Sequence, residues 1–163
     1  MSDAVSFEWR GAVEELELDW LHAEAFDHPP VPAEWQRQLE QHSLGWVCAR
    51  EQDELVGFVK VLWDGGNHAF IIDAAVLPNS QRQGVGTGLV QSAAEHAREA
   101  GATWLHADFA RDIAGFFLER CGFTPTEGGR RNLREALSEE GEPPEPPQEQ
   151  PAEVQVDEPS EQA

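Results

Sequence analysis

The feature that most constrains the fold is a glycine-rich turn between an apolar strand and a long amphipathic helix. Residues 68–76 are nearly all apolar, as expected for a strand covered on both faces. Residues 84–100 place apolar side chains on one side of a helix that ends at Gly101. Such a turn presents the unpaired N–H groups and the positive dipole end of the helix to phosphate oxygens. The turn itself reads Gln81-Arg82-Gln83-Gly84-Val85-Gly86-Thr87-Gly88.

Two nucleotide-binding patterns do not fit this turn. A Walker loop is excluded because no Gly-Lys-Ser/Thr follows. A dinucleotide fingerprint needs G-x-G-x-x-G on the first strand, whereas the spacing here is G-x-G-x-G and position 89 is leucine. Glycine at 84 and 86 leaves room for close approach of a ligand, and Arg82 adds positive charge at the rim. A tight strand-to-helix turn without any ligand stays open, because isolated glycine patterns are weak signals.

Periodicity along the chain predicts an α/β (α+β) protein with a mixed sheet in the order β-α-α-β-β-β-α-β-α-β. A strand, a glycine turn, a helix and another strand in succession favour a right-handed crossover between parallel strands. The three strands before the crossover form an antiparallel meander with a hairpin signal at residues 64–67. The predicted strands are residues 5–9, 45–50, 55–63, 68–76, 103–109 and 130–133, and the predicted helices are residues 14–26, 33–41, 84–100 and 112–120.

Composition divides the 163 residues into one globular domain, residues 1–134, and an acidic tail, residues 135–163. The tail has ten acidic residues, six prolines and no basic residue, so we expect it to be disordered. Half of the net charge of −20 lies in the tail and half in the globular domain. We therefore expect both parts to repel nucleic acid, and the negative domain to attract cationic acceptors such as amines. The chain has no run long enough to cross a membrane, no signal peptide, and only two cysteines. We therefore predict a cytoplasmic protein without a metal site.

Two further segments carry a resemblance to a known family. Val76-Leu77-Pro78 precedes the glycine turn, and the last predicted helix ends in Phe116-Phe117-Leu118-Glu119-Arg120-Cys121-Gly122-Phe123. With this element order, the chain resembles the GNAT superfamily of acetyl-CoA-dependent N-acyltransferases. Members of that family carry a Q/R-x-x-G-x-G/A pyrophosphate loop after V-x-P and an F-Y-x-x-x-G-F ending. The resemblance covers about residues 5–133.

The resemblance implies acetyl-CoA as co-substrate and assigns positions to it. The pyrophosphate would lie on the loop, and the pantetheine arm would pair with the end of the fourth strand. The thioester would enter the cleft between the fourth and fifth strands, where a backbone N–H of Ala75 or Val76 would polarise its carbonyl. Acceptor specificity would come from about residues 26–35, and the frequency of dimers in the family leaves a homodimer open. The implied binding residues are Ala74, Ala75, Val76, Arg82, Gln83, Gly84, Val85, Gly86 and Thr87.

Acyl transfer to an amine also needs a base, because an amine with a pKa near 10.4 is neutral in only about one molecule in a thousand at pH 7. His106 on the fifth strand is the first candidate, with Asp108 on the same strand face to orient its ring. Asp73, charged among apolar neighbours on the fourth strand, is the second, and each of these residues has a structural role as its alternative. The other histidines are expected on the surface or in packing, with the mouth of the acceptor site as the alternative for His28. The tyrosine that often protonates the leaving thiolate in this family is absent, and we place Phe117 at its position.

These observations predict an N-acetyltransferase that transfers an acetyl group from acetyl-CoA to a primary amine of a small molecule, protein or peptide. The amine would attack the thioester directly in a ternary complex. One alternative is a non-catalytic acyl-CoA-binding or sensor domain of the same fold, which the missing tyrosine favours. Another is an interaction module that works through the tail. Only the enzyme releases thiol when an amine is added.

Overall fold

The computed structural model describes residues 4–134. The described residues divide into two units, residues 4–125 and residues 126–134. The described part of the second unit, residues 126–134, contains neither helix nor strand. The acidic tail predicted for residues 135–163 lies outside the described residues. In the described range, no helix is both long enough and apolar enough to cross a membrane.

A five-stranded sheet forms the centre of the first unit, with the strands in the spatial order β1-β2-β3-β4-β5. Strands β1 to β4 are antiparallel neighbours, and β5 lies parallel to β4 after a crossover through the longest helix. This mixed sheet confirms the predicted fold class. The strands are β1 (Ser6–Trp9), β2 (Gly45–Glu51), β3 (Glu54–Trp63), β4 (His68–Val76) and β5 (Trp104–Ala107), and the helices are α1 (Glu15–Phe26), α2 (Trp35–His42) and α3 (Val85–Ala100).

Apolar side chains form a core on each face of the sheet. Helix α3 covers one face, and α1 with α2 covers the other. Two glycines bring α3 close to the strands: a Cβ added at Gly57 would lie 2.9 Å from Leu89, and one at Gly88 would lie 2.2 Å from the Phe7 ring. Real Cβ atoms do not approach other atoms so closely, so any side chain at either position would push α3 away from the sheet. The N-terminus of α3 is therefore held directly against the strands.

Arg50 of β2 anchors α1 to the sheet. Its guanidinium donates to both carboxylate oxygens of Glu17 at 2.9 Å and to the carbonyls of Ala12 and Asp53 at 2.8 Å. These bonds lower the pKa of Glu17, because they stabilise the ionised carboxylate by more than partial burial disfavours it. The anchor fixes α1, and with it every side chain that this helix directs toward β4.

The C-terminal part of the first unit differs from the prediction. In place of one α-helix over residues 112–120, a 3-10 turn (Arg111–Ile113) leads into a π-helix (Phe116–Arg120). The Cys121 N–H closes this π-helix on the carbonyl five residues earlier, at 3.1 Å.

The strand predicted over residues 130–133 is absent from the described residues. Its single apolar side chain, Leu133, is 72% exposed, and a segment with no apolar face to bury gains little from joining a sheet.

Candidate active site

Strand β5 pairs with only the first part of β4, which leaves one edge of β4 unpaired where the sequence predicts the thioester cleft. Their last paired residues are Ile71 and Ala107, whereas β4 continues to Val76. Strand β3 stays paired with β4 over this stretch, and the Leu77 N–H donates to a β3 carbonyl at 2.9 Å. The other edge of residues 72–76 therefore faces the cleft, where the sequence predicts the thioester.

The alternation of the antiparallel ladder decides which amides face this cleft. Because the Leu77 N–H bonds to β3, the residue two positions earlier, Ala75, also turns its N–H toward β3. Val76 lies between Ala75 and Leu77 and points its backbone groups to the opposite side. There its carbonyl oxygen accepts a hydrogen bond from Gln81 Nε2 at 3.2 Å. Of the two amides predicted to polarise a thioester carbonyl, Val76 is the one on the cleft side.

A bulge in β4 lies beside the cleft. From the Phe58–Ala75 pair to the Lys60–Ile72 pair, β3 advances by two residues and β4 by three. Asp73 lies within this bulge and adopts the left-handed conformation, with φ at 54°. That conformation costs a residue other than glycine roughly 1–2 kcal/mol. Bulges redirect side chains, and this one directs the Asp73 carboxylate toward β3 and α1.

The glycine loop presents free backbone amides at the start of α3. The first backbone bond within the helix is from the Gly88 N–H to the Gly84 carbonyl, at 2.9 Å, and no side chain caps the helix. Among the described residues, the N–H groups of residues 85–87 have no backbone partner either. Gly84 has φ at 87°, and a Cβ placed there would meet nothing within 4 Å. The loop therefore has both the donors and the space that an anionic ligand requires.

Gly86 has a different role from the one predicted. A Cβ at this position would lie 3.1 and 3.2 Å from two ring atoms of Phe116. Its missing side chain therefore makes room for the Phe116 ring. Arg82, exposed and with φ at 61°, lies in the turn before the helix, where the prediction places a rim charge.

Asp73 is paired with a buried lysine. Lys60 Nζ lies 3.0 Å from Asp73 Oδ2, donates to Gln38 Oε1 at 2.7 Å, and lies 5.4 Å from the centroid of the Trp35 ring. Only 3% of Lys60 is exposed, whereas a quarter of the Asp73 side chain is. Trp35 in turn donates its Nε1–H to the buried carboxylate of Asp19 at 2.8 Å. The expectation that a charge at position 73 would be paired is therefore met, and the carboxylate keeps one oxygen free for another partner.

That second partner is a pair of histidines. The sequence analysis expected His22 on the surface or in packing, and gave His28 the acceptor mouth as its alternative. His22 Nε2, on α1, lies 3.5 Å from Asp73 Oδ1. His22 Nδ1 lies 2.8 Å from His28 Nε2, and His28 Nδ1 lies 2.7 Å from the Pro29 carbonyl oxygen. A chain of ring nitrogens thus connects the loop after α1 with the bulge in β4. The available sequence signal was a histidine on each side of the helix end, the second of them directly before Pro29 and Pro30.

His106, the first candidate base, bonds elsewhere. It pairs in register with Phe70, three residues before Asp73 along β4, and its ring stacks on the Phe70 ring with centroids 4.5 Å apart. His106 Nε2 lies 2.8 Å from His68 Nδ1. Asp108, exposed and just beyond β5, makes no hydrogen bond with His106 in the described part of the chain. The predicted His106–Asp108 pair is therefore wrong, and a His68–His106 pair on an exposed aromatic face takes its place.

Phe117 is a core residue. It is 4% exposed, and its ring stacks on Phe109 with centroids 4.6 Å apart. Counted back from Gly122, the tyrosine position of F-Y-x-x-x-G-F falls on Leu118, so placing Phe117 there is wrong by one residue. Leu118 cannot donate a proton, and the chain has no tyrosine.

Among the described residues, no group of three or more His, Cys, Asp or Glu side chains is placed to hold a metal ion.

The unpaired edge of β4, the strand bulge and the uncapped loop are together typical of an acyl-CoA N-acyltransferase fold. The sequence matches the family model described as "Acetyltransferase (GNAT) family" over residues 9–123. The chain therefore belongs to the GNAT acetyltransferase family, which confirms the predicted resemblance. No protein of curated function matches it.

Solved structures from several organisms share this fold. A GNAT family acetyltransferase from Streptococcus pneumoniae is 24% identical, the match covering 79% of this chain and 100% of that one, with a TM-score of 0.58. An acetyltransferase from Trypanosoma brucei is 19% identical, with coverages of 79% and 99% and a TM-score of 0.64. AAC(6′)-Iy, in complex with the bisubstrate analogue CoA-S-monomethyl-acetylneamine, is 16% identical, with coverages of 80% and 97% and a TM-score of 0.65. At these identities the likeness concerns the fold alone.

Proposed function

We propose that this protein is an N-acetyltransferase that moves an acetyl group from acetyl-CoA to a primary amine by direct attack in a ternary complex. The observation that carries the proposal is the uncapped start of α3, which follows directly in sequence after the unpaired edge of β4. A diphosphate and an extended thioester arm need these two features side by side. When bound, acetyl-CoA supplies an electrophilic carbonyl carbon and a thiolate leaving group.

The residues of the loop and of β4 would hold this co-substrate. Arg82 and the amides of residues 83–87 would bind the pyrophosphate, with the open space at Gly84 letting phosphate oxygens approach the backbone. Residues 74–76 would line the pantetheine arm, and the Val76 N–H would donate to the thioester carbonyl as an oxyanion donor does. The partly exposed carboxylate of Asp73 beside this position suits a cationic acceptor.

The leaving thiolate has no tyrosine to protonate it. Thiols ionise near pH 8.5, so a thiolate can leave and take its proton from water. A missing general acid lowers a rate typically by about 10²–10⁴. This absence also favours the second candidate function, an acyl-CoA-binding or sensor domain that does not transfer the acyl group.

One experiment distinguishes the two functions. Purified protein is first heated with and without 1 mM acetyl-CoA, which both functions predict will raise the melting temperature. A panel of small amines, polyamines and peptides is then added, and thiol release is followed over time. Amine-dependent release supports the enzyme, whereas binding without release from any amine supports the sensor. Absence of binding at millimolar acetyl-CoA contradicts both.

The domain boundary, the cellular location and the assembly remain part of this proposal. We propose that residues 1–134 form the catalytic domain of a cytoplasmic protein and that residues 135–163 are a solubilising extension. Truncation before residue 135 should then leave acetyl-CoA binding and thiol release unchanged, and loss of activity would support the interaction-module alternative. A homodimer is to be tested by sedimentation of the full chain.

A further inference from the structure

We propose that His22 is the general base that takes a proton from the acceptor amine, and that Asp73 and His28 are positioning residues for its ring. The inference rests on the proposed function and deepens it by naming the proton acceptor. It replaces His106, whose ring faces His68 and Phe70.

The bonding partners fix where the hydrogens of the histidine chain lie. A carbonyl oxygen only accepts hydrogen bonds, so His28 Nδ1, 2.7 Å from the Pro29 oxygen, carries a hydrogen. In a neutral ring His28 Nε2 is then bare and accepts, so the hydrogen between the two rings belongs to His22 Nδ1. Neutral His22 therefore has a bare Nε2. The chain of bonds leaves no other tautomer of a neutral pair.

The bare nitrogen of His22 faces a carboxylate. Nε2 and Asp73 Oδ1 are 3.5 Å apart, and both are acceptors, so the neutral ring makes no bond there. A proton placed on Nε2 turns this contact between two lone pairs into an ion pair. Catalytic contacts are often long before substrate binds and shorten afterwards. The geometry thus prepares one atom, His22 Nε2, to receive a proton.

The other groups around the ring support the same assignment. From β3, Lys60 holds the opposite oxygen of Asp73 at 3.0 Å and so fixes the direction of Oδ1. From α1 and α2, the rings of Phe26 and Trp35 pack against His22 with centroids 4.5 and 5.4 Å away, and the nearest acid on α1, Asp19, is bonded to Trp35. About a quarter of both the His22 and the Asp73 side chains is exposed, so an amine can reach the pair.

The proton and electron balance of the step is simple. An acceptor R–NH₃⁺ gives one proton to His22 Nε2, and the freed lone pair forms the C–N bond to the acyl carbon. The C–S bond breaks with its electron pair on sulfur, and the second N–H proton passes through water to the thiolate. The imidazolium then returns its proton to solvent. The products are an amide, the free thiol and one released proton.

Steady-state kinetics of H22Q test the base. We expect kcat/KM at pH 7 to fall by about 10²–10⁴ while the acetyl-CoA-induced thermal shift is retained. The control variant H42Q removes an exposed histidine at the end of α2 and should remain within about twofold of wild type. The pH profile should change shape: H22Q should rise with slope one up to the pKa of the amine, because only the neutral amine reacts. Wild type should level off at lower pH.

Three kinetic outcomes overturn the inference in distinguishable ways. An active wild type with an unchanged H22Q rate and profile removes His22 as the base and leaves the proposed function intact. A wild type that acetylates no amine removes both. A low H22Q rate with a wild-type pH profile also overturns the inference, because it indicates a structural effect only.

Tautomers of the free protein give a readout that does not depend on activity. Long-range ¹⁵N–¹H spectra should show neutral His22 protonated on Nδ1 in wild type. In H28A that bonding partner is lost, and an Nε2–H form of His22 should appear. Neutral His22 carrying its hydrogen on Nε2 in wild type would contradict the bond directions on which the inference is built.

Discussion

The two ends of α3 offer a matched test of the proposal that the glycine loop binds the pyrophosphate. Gly84 precedes the helix with φ at 87°, and Gly101 follows it with φ at 114°. A Cβ at either position would meet nothing within 4 Å. Alanine at either end therefore brings the same local backbone strain without a steric clash, yet only Gly84 lies in the proposed binding site.

The expected stability change follows from this geometry. The left-handed conformation destabilises the folded state of an alanine variant by about 1–2 kcal/mol. Alanine also lowers the conformational entropy of the unfolded chain, which offsets roughly 0.4–1 kcal/mol of that loss. G84A and G101A should each lose about 1 kcal/mol, or roughly 3–6 °C in melting temperature. G84A should in addition weaken acetyl-CoA binding at least about tenfold, equal to about 1.4 kcal/mol, because its methyl group occupies the space left for phosphate oxygens.

Calorimetric titration with acetyl-CoA and thermal melts of the three proteins measure both effects. G101A should bind as wild type does after its lower stability is taken into account. Equal affinities for G84A and wild type would refute the assignment of the loop to the pyrophosphate. Equal weakening in both variants would show that helix stability, and not phosphate access, controls binding.

Three further outcomes are expected from the residues around the site. Lys60→Met should lower the unfolding free energy by about 2 kcal/mol in urea, because Asp73 and Gln38 lose a charged donor; adding Asp73→Asn should recover part of it, and simple additivity would refute the coupling. Glu17→Gln should cost about 1 kcal/mol at pH 7, discounted for partial exposure. Because folding lowers the pKa of Glu17, this stabilisation is present above its unfolded value of 4.5 and is lost as pH falls through the folded pKa, so the two proteins should converge in acid. Burial raises the pKa of Cys48 to about 12, so native protein at pH 8 should leave this thiol unmodified by dithiobis-nitrobenzoate, and fast labelling would contradict its burial.

Local patterns in the sequence predicted most of the fold. The strand at His68–Val76 and the helix at Val85–Ala100 rest on apolar runs, glycines and periodicity, all of which act over a few residues. The strand predicted over residues 130–133 was wrong, because this segment has too few apolar, β-favouring residues to form an apolar face. The prediction of the last helix was wrong in its bonding pattern; the Phe116 ring at its start packs close to Gly86, 30 residues earlier, and local periodicity does not show such a contact.

The site was predictable only where its chemistry is local. The glycine loop could be located from sequence because backbone donors at a helix start follow from chain geometry. Asp73 stood out as a charge in an apolar strand, but its bulge depends on the register between β3 and β4. His22 reaches Asp73 across 51 positions of sequence, and His106 finds His68 across 38. Such contacts are fixed by tertiary packing, which periodicity does not encode.

The burial of Lys60 has a consequence for a protein that handles activated thioesters. It is the only lysine of the chain, and its amine is shielded and held by Asp73 and Gln38. Acylation of this amine would erase the positive charge that balances Asp73. Enclosing it keeps the reagent away from the one lysine nitrogen it would damage, so the surface offers no side-chain amine for wasteful self-modification.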